Sequence, residues 1–403
     1  MPILFIIIIL SSMGFGLVLP PFIFVAQNFG ASPMLATFII STFAIGQFIA
    51  TPIWGKLSDK YGRKPILILT MIGSALAYLI MAWADNQSSL VMLLIARFLT
   101  GLMSGNFAVA TAYVADITPS ENRAQGMGMV GGAVSIGFMS GPAIGGLLSG
   151  ETAETASLFW PSLLAAAMSL ITLFAILFFL KESLSAEKRS EVIKDDKNKT
   201  NKEGSFVDIL FRPVLGLMVL MGFLVFFAAA SFESIFPLWA DFGFDWGPRE
   251  VGFCFMYLAL IVMITQMFLV GRIAPIFGEG KLLIAALFCY IFGLLFMILV
   301  PFSFEPPSWK VMMIGITFTS FGGAMFNTAS TSWVSQQASP KERGAVLGLF
   351  QSAGWGGRGT GPTFAGYLFQ SFGPNSPFIA ASLLMLPVLL IVLIIRRRTL
   401  AIV

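Results

Sequence analysis

Long apolar runs alternate with short polar breaks along the whole chain. The runs predict helices at 3–27, 34–54, 65–83, 89–115, 122–149, 156–180, 210–240, 248–271, 281–301, 309–336, 341–370 and 375–395. A run of about 20 residues crosses the hydrocarbon core of a bilayer, and a helix satisfies its own backbone there. One break is longer than the rest. Lys181 to Ser205 is rich in Lys, Glu, Asp and Asn and cannot bury a core of its own. It separates two groups of six spans. The expected organisation is a six-helix bundle over 1–180, a cytoplasmic linker over 181–206, and a second six-helix bundle over 207–403.

Composition sharpens this picture. Of 403 residues, 57% are hydrophobic and only 11% charged, against about 25% charged in soluble domains. This describes an all-α integral membrane protein rather than a soluble domain with an anchor. There is no His, and Cys254 and Cys289 lie inside apolar runs. No zinc or haem motif can be built from these, and no disulfide framework is implied. The first ten residues lack a basic leader, so they read as the first span and not as a removed signal.

Charge sets the topology. Of the 24 Lys and Arg, 20 fall on one side, in the loops after spans 2, 4, 6, 8 and 10 and in Arg396, Arg397 and Arg398. Only Arg249 and Lys310 fall on the other side, while Arg97 and Arg358 lie inside spans. Cations favour the cytoplasmic side, so both termini are expected there, in a multi-pass protein of the cytoplasmic (inner) membrane. The net charge of +4 sits in membrane loops and does not point to nucleic acid.

The two halves repeat. Gly55…Gly62 recurs as Gly271…Gly278 with the same spacing, followed by Lys281, and with Pro275 where the first copy has Asp59. Thr118-Pro119…Glu121…Arg123 recurs, one residue shorter, as Ser339-Pro340…Glu342-Arg343. Gly141-Pro142 recurs as Gly361-Pro362. Repeated bundles place a substrate site at their interface near the midplane, which argues for a transporter independently of any single motif.

The stretch Gly55-Lys56-Leu57-Ser58-Asp59-Lys60-Tyr61-Gly62-Arg63-Lys64 carries five charges. It reads as a turn between two spans. It resembles the loop 2–3 signature of the major facilitator superfamily, G-x-L-[SA]-D-[RK]-x-G-R-[RK]. The resemblance implies that family's fold: twelve transmembrane helices in two pseudo-symmetric halves. Gly55, Asp59, Gly62, Arg63, Lys64, Asp116 and Arg123 are then the expected cytoplasmic gate, with Asp59, Arg63 and Asp116 as a latch between the halves. In the fifth span Gly137, Gly141, Pro142, Gly145 and Gly146 resemble the antiporter motif G-x-x-x-G-P-x-x-G-G of the drug:proton antiporter branch, which includes tetracycline and multidrug exporters. A glycine face also reads as simple packing. The motif implies a seam where helices of the two halves meet, and favours export.

Charged groups inside spans mark functional sites by default. Glu233 is the one carboxylate well inside an apolar span. Burial raises a carboxyl pKa, so it is the expected proton carrier, and Ser231-Phe232-Glu233 resembles the acid site of bacterial multidrug exporters. A structural pairing with Arg97 or Arg358 is the alternative. Arg97, with Gly101, resembles the family's R-x-x-x-G motif in the fourth span. That implies a role in proton coupling or substrate binding; an arginine reaching toward an interface is the alternative. Phe15, Asn106, Phe226, Phe232, Phe236, Asn327 and Arg358 complete the expected substrate cavity. The tenth span has Met325 and Asn327 where some relatives carry a second acid.

The function expected from all this is proton-coupled antiport of a lipophilic small molecule by alternating access. The alternatives are a symporter or facilitator for a specific, possibly anionic, metabolite, and a non-transporting receptor. No enzyme motif, metal site or cofactor is expected beyond the coupling proton. The expected partners are a small-molecule substrate and the bilayer, with the chain a monomer.

Overall fold

The computed structural model describes residues 2–119, 123–184, 210–299, 303, 307–339 and 342–400. All regular structure among them is helical. It forms twelve rods: α1 (Pro2–Asn28), α2 (Pro33–Tyr61), α3 (Arg63–Asn86), α4 (Leu90–Met103) continued by α5 (Asn106–Ile117), α6 (Arg123–Leu148), α7 (Phe159–Phe179), α8 (Pro213–Phe244), α9 (Pro248–Ile264) continued by α10 (Gly271–Phe277), α11 (Glu279–Leu299), α12 (Trp309–Gln337), α13 (Arg343–Phe372) and α14 (Ser376–Leu400). Ten rods cross a membrane on length and hydropathy alone. α12 and α13 match them in length but are diluted by Gly, Ser and Thr.

The charged motif is helix, not turn. α2 continues through Gly55–Tyr61, and only Gly62 breaks the chain, with φ 104°. Nothing between Gly55 and Tyr61 forbids a helix, whereas Gly62 adopts a left-handed conformation that costs other residues more. The second copy behaves alike: α10 ends at Phe277 and Gly278 has φ 76°. Ahead of it, Thr265–Val270 forms one π-helical turn. The fourth span is also interrupted. Ser104 bonds back to the carbonyls of Thr100 and Gly101, and the Trp54 indole donates to the Leu102 carbonyl at 2.7 Å. A Cβ on Gly105 would lie 2.6 Å from the Trp54 ring.

The helices cluster in two units. Unit 1 contains Met1–Ser32, Thr42–Lys202 and Asp245–Met256; unit 2 contains Pro33–Ser41, Glu203–Phe244 and Tyr257–Val403. In unit 1, α1 packs on α6 and α7, and α3 packs on α4 and α7. In unit 2, α8 packs on α13 and α14, and α11 on α12 and α14. These are the same four pairings one repeat later, so the repeat in the sequence is a repeat of packing.

Glycine makes the closest pairings possible. A Cβ on Gly137 would lie 2.7 Å from the Ile9 carbonyl, and one on Gly141 2.7 Å from that of Met13. A Cβ on Gly145 would strike the Leu17 carbonyl. This seam joins α6 to α1 within unit 1, so the expectation of a seam between halves is corrected for these three glycines. Gly146 faces elsewhere in the same unit, toward Pro248 and Gly252. In unit 2 a Cβ on Gly357 would lie 2.5 Å from the Phe223 carbonyl of α8.

Candidate functional site

In unit 2, Glu233 of α8 meets Arg358 of α13. Arg358 Nη1 donates to Glu233 Oε2 at 2.8 Å, and Nη2 reaches Oε1 at 3.5 Å. Pairing by two nitrogens fixes both planes. The crossing is pinned two residues away, where Ser231 Oγ donates to the Gly361 carbonyl at 2.9 Å. The pair is not sealed: the two side chains remain 32% and 33% exposed. Phe226 lies beside the guanidinium, its centroid 5.6 Å from Arg358 Cζ. Of the two arginines expected as partners for Glu233, the structure brings in Arg358. Tyr290 of α11 was not legible as a site residue. It lies within electrostatic reach of both charges, and its buried hydroxyl has no hydrogen-bond partner among the described residues.

Phe232 and Phe236 were expected in the cavity. They are 4% and 1% exposed and pack with each other, and Phe232 also meets Phe378 of α14 edge-to-face. They are core of unit 2, because successive residues on a helix point to different faces. Trp239 continues this core and donates to Asn375 Oδ1 at 2.8 Å. Asn327 is half-buried on α12.

In unit 1, Arg97 of α4 is 1% exposed. Its Cζ lies 5.1, 4.9 and 4.8 Å from the ring centroids of Phe15, Phe22 and Phe43. Such contacts stabilise a desolvated cation by roughly 2 kcal/mol each, yet Nε and Nη1 have no hydrogen-bond acceptor among the described residues. Arg97 therefore does not reach an interface. Phe22 and Phe43 complete its cage and were not singled out, since Phe in a span carries no local signal. Gln47 of α2, one turn after Phe43, was also missed. It is 7% exposed, and its Oε1 has no hydrogen-bond partner among the described residues. Asn106 is buried at the start of α5 and borders a small void with Ser11 and Met71.

The charged motif is a hub around Arg63. Nη1 meets Asp59 Oδ1 and Ser58 Oγ, both at 2.6 Å, and Nε meets Asp116 Oδ2 at 3.0 Å. The Arg63 side chain is 9% exposed, so these bonds are shielded on one side, although Asp59 is 41% exposed. Lys64 Nζ donates to the Leu177 carbonyl near the end of α7, where a cation is favoured. All these partners lie in unit 1, so the Asp59–Arg63–Asp116 cluster ties elements of one unit. The Arg123 side chain lies outside the described residues, as do residues 185–206 of the expected linker. Gly55 has open space around it.

Glu182 explains why the hub holds its shape. α3 begins with Arg63 and Lys64, cations at the positive end of a helix dipole. Glu182 Oε1 accepts the Arg63 N–H at 2.9 Å, and Oε2 accepts the Lys64 N–H at 3.1 Å. Gly62 leaves room for that carboxylate, which a Cβ there would strike. At the other end of the same helix pair the roles reverse: Asp85 of α3 accepts the N–H groups of Leu158 and Phe159, both at 3.1 Å, at the start of α7. α3 thus caps α7, and the segment that follows α7 caps α3.

The Major Facilitator Superfamily model matches residues 4–307 and 290–401. The tetracycline resistance protein, class H, of Pasteurella multocida is 27% identical over 87% of this chain and 84% of its own length. Multidrug resistance protein 2 of Bacillus subtilis (strain 168) is 28% identical over 94% of this chain and 90% of its own. Among solved structures, a bacterial homologue of the human lysosomal transporter Spinster superposes with a TM-score of 0.78 at 14% identity, covering 98% of this chain and 96% of that one. The human organic anion transporter MFSD10 superposes with a TM-score of 0.71 at 24% identity, covering 97% and 98%. A repeat of six and six helices, a charged motif built as a hub around Arg63, and matches along nearly the whole length converge: the chain belongs to the Major Facilitator Superfamily and is a multi-pass membrane transporter, not an enzyme.

Proposed function

We propose that the chain is a proton-coupled antiporter of the cytoplasmic membrane that exports a lipophilic small molecule by alternating access, with both termini cytoplasmic. The observation that carries this reading is the Glu233–Arg358 pair, 2.8 Å apart and a third exposed, between two membrane helices. An ionised Glu233 holds Arg358. Protonation removes that attraction and frees Arg358 Nη1, so proton uptake changes how α8 and α13 are tied. A substrate cation competes for the same carboxylate, which makes occupancy by proton and substrate mutually exclusive. Names of relatives support export of drugs: tetracycline and multidrug resistance proteins match over most of the chain. No cofactor enters the scheme, and one chain suffices for it.

A second reading, transport of an anion, is favoured by one observation: Arg97 has no acidic partner among the described residues. The structural neighbour MFSD10 is described as an organic anion transporter. The test is proton flux in proteoliposomes with a pH-sensitive dye across a panel of drugs and organic anions. Substrate-evoked proton release that Glu233→Gln abolishes supports antiport. Equal flux in both proteins removes Glu233 from coupling, and the opposite dependence on the pH gradient selects symport.

A further inference from the structure

We propose that the Tyr290 hydroxyl is a positioning group for the Glu233–Arg358 pair: it accepts the Arg358 Nη1–H when Glu233 becomes neutral, and this exchange sets the pH at which the pair parts. Tyr290 is 4% exposed, and its hydroxyl has no hydrogen-bond partner among the described residues. Native proteins leave few buried polar atoms unpaired. An orphan hydroxyl beside an ion pair that can part points to a second state in which it is used. Glu233 and Arg358 are the two charges it feels, one of each sign. A phenol oxygen accepts as well as donates, whereas a guanidinium only donates.

The backbone explains how a residue of α11 comes within reach of a pair on α8 and α13. α12 packs on both α11 and α8. A Cβ on Gly322 of α12 would lie 2.8 Å from the Tyr290 nitrogen, and one on Gly323 would lie 3.7 Å from Cε2 of the Tyr290 ring. The ring therefore lies over a stretch of α12 that carries no side chain. In the ionised state Nη1 and Nη2 of Arg358 are both taken by Glu233. A proton from water on Glu233 removes that attraction, and a guanidinium inside a span then needs another acceptor. Tyr290 supplies one and keeps its own proton. The neighbouring helices add no titratable group here: Lys310 of α12 lies in its first turn, and Arg396, Arg397 and Arg398 of α14 lie near its far end. This inference rests on Glu233 taking up a proton, as in the reading above.

Infrared difference spectroscopy on the purified full chain, without substrate, reads Glu233 protonation as the carboxylic C=O band that Glu233→Gln removes. Tyr290→Phe keeps the ring and deletes only the oxygen. It should lower the midpoint of that band by about one pH unit, because the protonated state alone loses a hydrogen bond to a charged group. Tyr290→Met covers the case in which Tyr290→Phe does not fold, and should shift the midpoint the same way. Thermal unfolding gives a second readout. Above the midpoint, where the hydroxyl is unused, Tyr290→Phe should be at least as stable as the parent; below it, less stable. In an Arg358→Met background Tyr290→Phe should leave the midpoint in place. An unchanged midpoint overturns the proposal, as does a shift that persists without Arg358 or the absence of any Glu233 band. A raised midpoint also overturns it, since the hydroxyl then serves the ionised carboxylate as a donor. Drug-evoked proton flux decides the antiport reading separately. Flux that survives Glu233→Gln removes the carrier role even where the midpoint shift is found, and flux lost in Glu233→Gln without a midpoint shift keeps the carrier and removes Tyr290.

Discussion

Removing one member of the Glu233–Arg358 pair strands the other charge in a membrane interior. A lone charge there costs more than a missing pair, because the desolvation penalty stays while the attraction is lost. Arg358→Met should therefore lower stability by about 2–3 kcal/mol, below the cost for a sealed pair because both side chains are a third exposed. The double variant Glu233→Gln/Arg358→Met should recover part of that loss. Thermal unfolding of the purified variants checks this, and a double variant less stable than Arg358→Met would count against it. Outside the membrane, Glu342 precedes α13, and its hydrogen bond from Arg212 holds its pKa below the ordinary 4.5. A depressed carboxyl contributes stability above its unfolded value and loses it as pH falls through the folded one. The difference in unfolding temperature between the parent and Arg212→Gln should thus be present at pH 7. It should fade below about pH 4 and shrink in about 1 M salt, since the pair is exposed. Residues of this kind divide by legibility. Glu233 and Arg358 were legible because charge is costly in an apolar run. Gln47, Tyr290 and Glu182 were not, because an amide, a phenol or a loop acid becomes unusual only when its partners are known.

At the scale of elements, the alternation of apolar runs and polar breaks was enough for twelve rods, but not for their ends. Gly55–Tyr61 looked like a turn because it is charged, yet helix formation depends on backbone freedom, and only Gly62 needed a left-handed φ. The glycines of α6 show the same limit. Their spacing announced close packing, but not the partner, which is α1. Contact predicts which of them matters. Gly141 has the Met13 carbonyl at 2.7 Å from an added Cβ, while Gly131 has open space. Gly141→Ala should destabilise the protein by about 1–3 kcal/mol through overpacking, and should slow transport if α1 and α6 move as one body. Gly131→Ala should be neutral or stabilising by up to about 1 kcal/mol, because alanine favours the helix. Unfolding temperatures of the two variants settle the comparison, and equal losses would mean that the seam relaxes without cost.

At the scale of the whole molecule, the repeat preserves packing but inverts charge. The same four helix pairings recur in both units, yet the position held by Arg63 at the start of α3 is held by Glu279 at the start of α11. Glu279 supplies its own anion to the helix dipole. It accepts Ser332 Oγ at 3.0 Å and Gln336 Nε2 at 2.6 Å from α12. Arg63 instead needs Glu182 for the dipole, and bridges two acids, Asp59 and Asp116. Losing Arg63 leaves two carboxylates facing each other with no cation between them. Losing the charge of Glu279 leaves only neutral hydroxyl and amide groups, which find water at low cost. Arg63→Ala should therefore lower stability by about 2–3 kcal/mol, and Glu279→Gln by about 1 kcal/mol or less. Asp116→Asn introduced into Arg63→Ala should restore part of the loss, because it removes one of the stranded acids. Unfolding temperatures of the four proteins, read beside substrate-evoked flux, make the test concrete. If Glu279→Gln proves as damaging as Arg63→Ala, the two copies of the motif do equivalent work, and charge inversion has not divided their roles.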